Sequence, residues 1–323
     1  APVQRYSLSV LAGREKSSSA ITAGYNNVEG VLKNTGSKLF TLRANSDFTV
    51  LNDKLKIGFS LAPSYEIDHN SRANTDNIRS LISAAQLSSP LVPAVNPDGS
   101  FGPTATSPNM LNSGYNIYRN ILEVKDDYTN TRFLTNTYGE YTLLQGLKFK
   151  TQLGLDVNGE VRNMFTPSTS TSAKIATGAY ETFNNYSWSI DNTLNYQKTF
   201  ASDHHLDLLA GYSAQKFRQE SNVASGNTFP SDDYPWLNQA TIKTGSTSTT
   251  QSWSMQSMLG RLNYNYKGRY LLQASIRRDG SSRFGSDKTY GYFPGASIGW
   301  IASDEPFLKN IPAISYLKIR SSF

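Results

Sequence analysis

The sequence contains no cysteine, few charged residues and no long apolar run. Its 323 residues therefore cannot form disulfides or thiolate metal sites. No apolar run approaches the roughly 18 residues that a transmembrane helix needs, and the mean hydropathy is −0.45. These properties argue against a helical membrane protein. A membrane β-barrel would pass the same test, because alternation along its strands hides their apolar residues.

Patterns typical of catalysis and nucleic-acid binding are also missing. The net charge of +6 is spread along the chain without a basic block, so we expect no nucleic-acid partner. Adjacent side chains point apart at His204 and His205, and the Asp pairs at 126–127 and 232–233 lack a calcium-loop spacing, so no metal site is predicted. With no Ser, His and Asp grouping and no phosphate loop, we expect neither an enzyme nor a cofactor.

The sequence does contain a repeated alternation of apolar and polar residues, which is clearest within residues 256–300. From 256 to 266 the even-numbered side chains are mainly apolar and the odd-numbered ones mainly polar, which is the period of a β-strand. After a short turn the same parity resumes, with Leu272 on one face and Gln273 on the other. The two runs predict a β-hairpin.

Three features of this stretch favour a membrane barrel over a soluble two-sheet sandwich. The apolar faces are about 9 to 11 residues long, the length that a tilted strand needs to cross a bilayer. The opposite face carries Arg261, Gln273 and Arg277, which a sandwich core could bury only with partners. Aromatic residues lie at the strand ends, as in interfacial girdles: Tyr264, Tyr266, Tyr270, Tyr290, Tyr292 and Trp300. A sandwich whose polar face meets solvent remains an alternative.

The same alternation recurs along the chain and predicts about twelve strands, joined alternately by short turns and long loops. The longest connection is expected at residues 68–130, outside the cell, with a short helix at 77–87. Further loops are expected at 159–182 and 216–251. The predicted fold class is all-β: part of an antiparallel up-and-down transmembrane β-barrel with long outer loops and short periplasmic turns, forming a single region over residues 1–323.

Residues 274–300, ASIRRDGSSRFGSDKTYGYFPGASIGW, resemble the signature of the SusC/RagA family of TonB-dependent outer-membrane transporters. The similarity continues through SDEPF at 303–307 and LKIR at 317–320. An RRDGSSRFG string followed by YGYFP and an acidic-Pro-Phe turn is far more specific than a lone glycine motif. Weaker similarity covers most of the rest of the chain.

The resemblance implies a location in the outer membrane of a Gram-negative, Bacteroidetes-like cell, in contact with outer-membrane lipid. It implies import of oligosaccharides or peptides with a SusD-like surface lipoprotein and with energy from the TonB complex. Family barrels have about 22 strands around a plugged lumen. We therefore expect an internal fragment without the plug domain, the TonB-contacting segment and the C-terminal strands. A passive porin or structural barrel and a soluble β-rich carbohydrate-binding protein are the alternatives.

Two sets of residues are candidates for function. Aromatic side chains outside clear strands are candidate cargo contacts, since flat rings near amides and carboxylates suit sugars and peptides alike; packing between loops is their alternative role. These are Phe101, Tyr115, Tyr118, Tyr128, Tyr180, Tyr234 and Trp236. The family string provides the second set, for which we expect a structural role where a strand enters its outer loop. It comprises Arg277, Arg278, Asp279, Gly280, Arg283 and Phe284.

Overall fold

A computed structural model describes residues 1–69, 93–102, 116–170, 174–285, 289–309, 311 and 313–323. These residues form twelve β-strands, one α-helix, α1 (Ile117–Glu123), and three short 3-10 helices (Ser168–Ser170, Leu237–Gln239 and Ala302–Asp304). The strands are β1 (Val3–Arg14), β2 (Ser17–Glu29), β3 (Gly36–Val50), β4 (Leu55–His69), β5 (Lys125–Leu144), β6 (Leu147–Thr166), β7 (Thr177–Phe200), β8 (His204–Asn227), β9 (Ile242–Tyr266), β10 (Tyr270–Ser281), β11 (Tyr290–Ile301) and β12 (Lys318–Ser322).

All twelve strands lie in one sheet in chain order, and each pairs antiparallel with its neighbours in the sequence. Within the described residues β1 and β12 do not pair with each other, so the sheet is an open portion of a barrel. This topology confirms the predicted up-and-down all-β fold. It is incompatible with a two-sheet sandwich for this part of the chain, because a sandwich divides its strands between two sheets.

The register separates the side chains onto two faces. Leu272 lies opposite Tyr264 and Ile298, whereas Gln273 lies opposite Asn263 and Ser297. We call the first surface the apolar face and the second the polar face. Leu272 is 41% exposed and Ile298 is 61% exposed. The apolar face is therefore an outer surface of the sheet and is not covered by a second sheet.

Several strands continue further into the loops than the sequence pattern predicts. The expected loop at 159–182 is only 167–176, because β6 runs to Thr166 and β7 begins at Thr177. The expected loop at 216–251 is likewise reduced to 228–241. Ladder hydrogen bonds form without apolar residues, so these strands persist where the side chains on both faces are polar and the alternation has disappeared.

The long connection between β4 and β5 is bounded by His69 and Lys125. At its base, the Nδ1 atom of His69 lies 2.8 Å from an Asp127 carboxylate oxygen. The helix predicted at 77–87 lies outside the described residues. The α1 helix was not predicted, and among the described residues no helix is long and apolar enough to span a membrane.

Candidate functional site

The α1 helix joins the outer connections of the sheet. Its N-terminal cap is Asn116, whose Oδ1 accepts a hydrogen bond from the Arg119 backbone N–H at 3.1 Å. The Nδ2 atom of the same residue donates to the carbonyls of Ala94 (2.9 Å) and Gly102 (3.1 Å). One buried side chain therefore starts the helix and holds residues 93–102 against it.

Glu123, at the other end of α1, ties the helix to the loop between β6 and β7. Its Oε2 accepts from Arg119 Nε at 2.7 Å and from Thr169 Oγ1 at 2.8 Å. That loop is joined in turn to residues 228–241, because Asp232 accepts from both the backbone N–H and the hydroxyl of Ser168 at 2.8 Å each. Sequence reasoning missed this network, whose members are distant in sequence.

Two of the predicted cargo-contacting aromatics pack within the loops. The Phe101 and Tyr118 rings lie 6.3 Å apart, and the Arg119 guanidinium lies 5.0 Å from the Phe101 ring centroid. Lys33 Nζ donates to the Tyr118 hydroxyl at 3.0 Å, which adds the connection between β2 and β3 to the assembly. Both rings therefore make contacts between loops, as their alternative role requires, and cargo contact by either ring stays a prediction. Tyr115 lies outside the described residues.

Tyr128 and Tyr180 are in strands, contrary to the prediction that they lie in loops. Tyr128 is 3% exposed on the polar face of β5, where its hydroxyl accepts from Asn130 Nδ2 at 2.8 Å. Tyr180 lies on the side of β7 that is continuous with the apolar face and is 41% exposed. The prediction was wrong because polar neighbours hide the outer part of each strand from a test based on apolar alternation.

Tyr234 and Trp236 are the most exposed of the cargo-contact candidates that the structure describes, at 61% and 68%. The loop that carries them is nevertheless held at both ends. Asp232 anchors one end, and Lys243 Nζ donates to the backbone carbonyls of Leu237 (2.6 Å) and Ala240 (2.8 Å) at the other. The two rings are therefore presented to solvent from a fixed loop.

The polar face is crossed by charge pairs between strands. Arg162 binds Asp126 through Nε and Nη2, at 2.7 Å each, and Arg132 binds Asp156 through Nε (2.9 Å) and Nη2 (2.7 Å). Both are two-point contacts, the geometry in which arginine–carboxylate pairs are strongest. The pairs join β5 to β6 near the loop end and leave a charged, hydrated surface.

The signature residues of β10 contact one another and the neighbouring strands β9 and β11. Arg277 Nε donates to both Asp279 oxygens at 2.7 and 2.9 Å, and Arg277 Nη2 reaches Ser257 on β9 at 3.3 Å. The Arg278 guanidinium lies 3.8 Å from the Tyr290 ring centroid on β11. These contacts occur where β10 enters its loop.

The same string also fixes the loop after β10. The Arg283 guanidinium lies 5.5 Å from the ring centroid of Trp253 on β9. A Cβ at Gly280 would collide with the Tyr290 ring, so any larger residue there would have to displace that ring. Phe284 is 46% exposed.

Asp98 organises a tight turn in the long connection between β4 and β5. Its Oδ1 accepts from the Ser100 hydroxyl at 2.6 Å and from the Ser100 backbone N–H at 2.9 Å. These two hydrogen bonds hold the pKa of the Asp98 carboxyl below its ordinary value. Within the described ranges, no three His, Asp or Glu side chains are grouped as metal ligands.

Comparisons with known proteins agree on one class. No family model matches the chain. It is 32% identical over 323 residues to a TonB-dependent receptor of Formosa agariphila, covering 98% of this chain and 30% of the relative. It is 26% identical to the TonB-dependent receptor SusC of Bacteroides thetaiotaomicron, covering 93% of this chain and 31% of SusC. The chain thus spans about a third of the relatives that it matches.

The fold comparison gives the same architecture. A structure of the RagAB peptide transporter superposes with a TM-score of 0.80 at 20% identity, covering 100% of this chain and 36% of that one. This likeness shows that the twelve-stranded sheet has the fold of part of a transporter barrel.

Proposed function

Because the chain corresponds in sequence and fold to about a third of a SusC/RagA-like TonB-dependent receptor, we propose that it forms part of the barrel wall of an outer-membrane transporter. The transporter imports oligosaccharides or peptides, takes its energy from TonB and works with a SusD-like surface lipoprotein. The relatives are receptors and not enzymes, so the work is binding and passage without chemistry on the cargo.

The observation that supports this proposal is the distribution of charge on the apolar face. On β10 the residues of this face run from Tyr270 through Leu272, Ala274 and Ile276 without a charge, and the first charged side chain is Arg278. Apolar bands of this kind, about 25 Å tall and flanked by aromatic rings, are the lipid-facing surface of outer-membrane barrels.

Aromatic rings flank this band at both ends. Towards the long loops, the Tyr25 ring lies 6.2 Å from Tyr6 and 4.7 Å from Phe40. Towards the short turns, Phe48 and Phe59 lie 6.3 Å apart. Amphipathic rings favour the headgroup level of a bilayer, so the two rows support a membrane position between them.

The polar face then lines the passage, and the loop end lies outside the cell. Strands joined by short turns at one end and long connections at the other favour this orientation. Among the predicted cargo contacts, Tyr234 and Trp236 are the strongest candidates, because their rings are exposed on a fixed loop.

This chain contains no cysteine, so a cysteine introduced into it gives a direct test in a receptor that has no other free thiol. We expect Leu272→Cys in the membrane-inserted receptor to resist a water-soluble maleimide, because hydrocarbon surrounds the thiol. Gln273→Cys is one residue away and should react readily, because its side chain meets water on the polar face. Labelling is measured by mass shift in whole cells and again after solubilisation in urea.

The comparison between the two variants decides the outcome. Both thiols should react in urea, which controls for intrinsic reactivity. Equal labelling of Leu272→Cys and Gln273→Cys in intact cells would refute the membrane-wall assignment. Recovery of the receptor in the soluble fraction without detergent would instead favour a soluble carbohydrate-binding protein.

A further inference from the structure

Strand β9 is much longer than β10, the strand beside it. It contains 25 residues and β10 contains 12. On one side β9 pairs with β8 along its whole length, from Ile242 to Tyr266. On the other side its ladder with β10 ends at Met255, followed by one further contact between Ser254 and Ser282. Residues 242–253 therefore have no partner strand on that side among the described residues.

The contact at Ser254 shows which backbone groups face the unpaired side. The Ser254 N–H donates to the Ser282 hydroxyl at 2.9 Å, and its carbonyl accepts from the Ser282 N–H at 3.0 Å. Successive residues of a strand direct their N–H and C=O groups to opposite sides. The backbone N–H and C=O groups of the even-numbered residues therefore face away from β8: Ser246, Ser248, Thr250 and Ser252. We call residues 246–252 the free edge.

Among the described residues, the segment 246–252 shows none of the features by which proteins usually protect such strands, and the one irregularity of the ladder with β8 lies just outside it, between Ser225 and Gly226. Every residue from 242 to 252 is exposed, and the segment from 244 to 252 contains no proline and no charged side chain. Exposed edges are normally blocked by charge, proline, bulges or a covering loop, because their unpaired groups template association with other chains. An edge that remains open and rich in Ser and Thr is suited to pairing.

We propose that the free edge binds an extended segment of a partner protein, which adds a strand to the sheet beside β9. The inference rests on the proposed function, because the partner is the surface lipoprotein that covers the loop end of the transporter. Backbone hydrogen bonds provide the affinity in this mode of recognition, and alternate side chains provide the specificity.

Two other occupants fit the edge less well. A cargo peptide would leave the edge open whenever the transporter is empty, and an open edge is an association hazard. A second copy of this chain could pair the identical edge only as an antiparallel, two-fold related ladder. That arrangement would turn one copy upside down in the membrane, whereas both copies must insert in the same orientation. A resident partner protein avoids both problems.

Proline substitutions test the hydrogen-bond donors of the free edge without disturbing the backbone pairing of β9 with β8. Ser248→Pro with Thr250→Pro removes two outward N–H donors but leaves the backbone hydrogen bonds to β8 intact, as proline on an edge strand does. The hydrogen bond from the Ser248 hydroxyl to Asn222 Oδ1 on β8, at 2.7 Å, is lost in this variant and in the alanine control alike. Ser248→Ala with Thr250→Ala is the matched control, because it changes the same side chains and keeps both donors. We expect the double proline receptor to bind the lipoprotein at least about tenfold more weakly, and the double alanine receptor to bind within about twofold of wild type.

Amide hydrogen exchange locates the contact. The measurement uses receptor purified with the lipoprotein that accompanies it from the native membrane, before and after the lipoprotein is stripped off. Binding should slow exchange at Ser246, Ser248, Thr250 and Ser252 by about tenfold or more. The odd-numbered amides, which already bond to β8, are the internal reference and should not change.

The outcomes separate this inference from the function on which it rests. Unchanged exchange at the free edge, or equal binding by the proline and alanine receptors, overturns the proposal while the transporter assignment stands. Protection that appears with cargo alone, or that rises with receptor concentration, identifies a different occupant and also overturns it. Failure of the receptor to insert into the outer membrane would instead remove the proposed function.

Discussion

At the residue scale, Glu305 shows how a single carboxylate can fix the turn end of the barrel wall. It is 7% exposed and follows the short helical turn after β11. Its oxygens accept from the Tyr270 hydroxyl at 2.6 Å, the Trp300 indole N–H at 3.1 Å and Arg269 Nη1 at 3.1 Å. The carboxylate therefore joins β10, β11 and the turn between β9 and β10.

These contacts make part of the stability dependent on pH. The hydrogen bonds from Tyr270 and then Trp300, followed by the charge of Arg269, hold the pKa of Glu305 below its ordinary value of 4.5. A depressed pKa gives stability that is complete above 4.5 and is lost as the pH falls through the folded-state pKa. We expect the difference in unfolding free energy between wild type and Glu305→Gln to be constant near neutral pH and to shrink below about 4.5.

Urea unfolding of the inserted receptor at a series of pH values measures this difference. Tyr270→Phe keeps the ring and removes the largest cause of the lowered pKa of Glu305. Its loss of stability on acidification should therefore be smaller than in wild type and complete at a higher pH. A wild-type to Glu305→Gln difference that does not change between pH 7 and pH 3 would contradict the assignment.

Residue type alone could not predict which aromatics remain available for binding. The sequence identifies Phe101, Tyr118 and Trp236 equally well as rings near polar neighbours. Only the fold shows that Lys33, 85 positions earlier, donates to Tyr118. Whether a ring is covered depends on such distant segments, so it cannot be derived from the local pattern.

At the scale of elements, the sequence predicts strands reliably only where one face is apolar. The hairpin of β9 and β10 is confirmed in its parity and its turn, because Leu272 and its neighbours on the apolar face alternate with polar residues. The outer half of β9 has Ser and Thr on both faces, so the sequence pattern predicts a loop there. Backbone pairing with β8 sets its real length.

The turn between β5 and β6 provides a prediction at this scale. Gly146 has φ +82°, and a Cβ there would collide with the carbonyl oxygen of Gln197. The backbone N–H of Gln197 donates to the Gly146 carbonyl at 2.7 Å. Gly268, in the turn after β9, has φ +69° and open space around it. Both glycines adopt the left-handed conformation, but only Gly146 is crowded.

We expect Gly268→Ala to cost about 1–2 kcal/mol of unfolding free energy, the ordinary cost of this conformation for a residue with a Cβ. Gly146→Ala should cost about 3 kcal/mol or more, because the β7 backbone must also move. Urea unfolding of both variants measures the difference. Equal costs would mean that the Gln197 contact does not constrain the turn.

At the scale of the whole molecule, the sheet has one apolar and one polar face, and the proposed function depends on this division. The apolar face is exposed across strands from β1 to β11, with Leu8 70% and Ile298 61% exposed. An exposed apolar surface this extensive is rare on soluble monomers and marks a surface that contacts lipid or a partner. The polar face carries the arginine–carboxylate pairs, so it is suited to water.

The cost of placing a charge on each face should therefore differ. Ala274 lies on the apolar face midway between Tyr270 and Arg278, and Gln273 lies beside it on the polar face. We expect Ala274→Lys to destabilise the receptor in lipid vesicles by about 2–4 kcal/mol, the cost of a lysine at the bilayer midplane. Gln273→Lys should cost less than about 1 kcal/mol, because water solvates the ammonium. Urea titration of the folded receptor in vesicles measures the unfolding free energy of both variants. An equal loss of stability on the two faces would mean that the residues of the apolar face do not contact hydrocarbon.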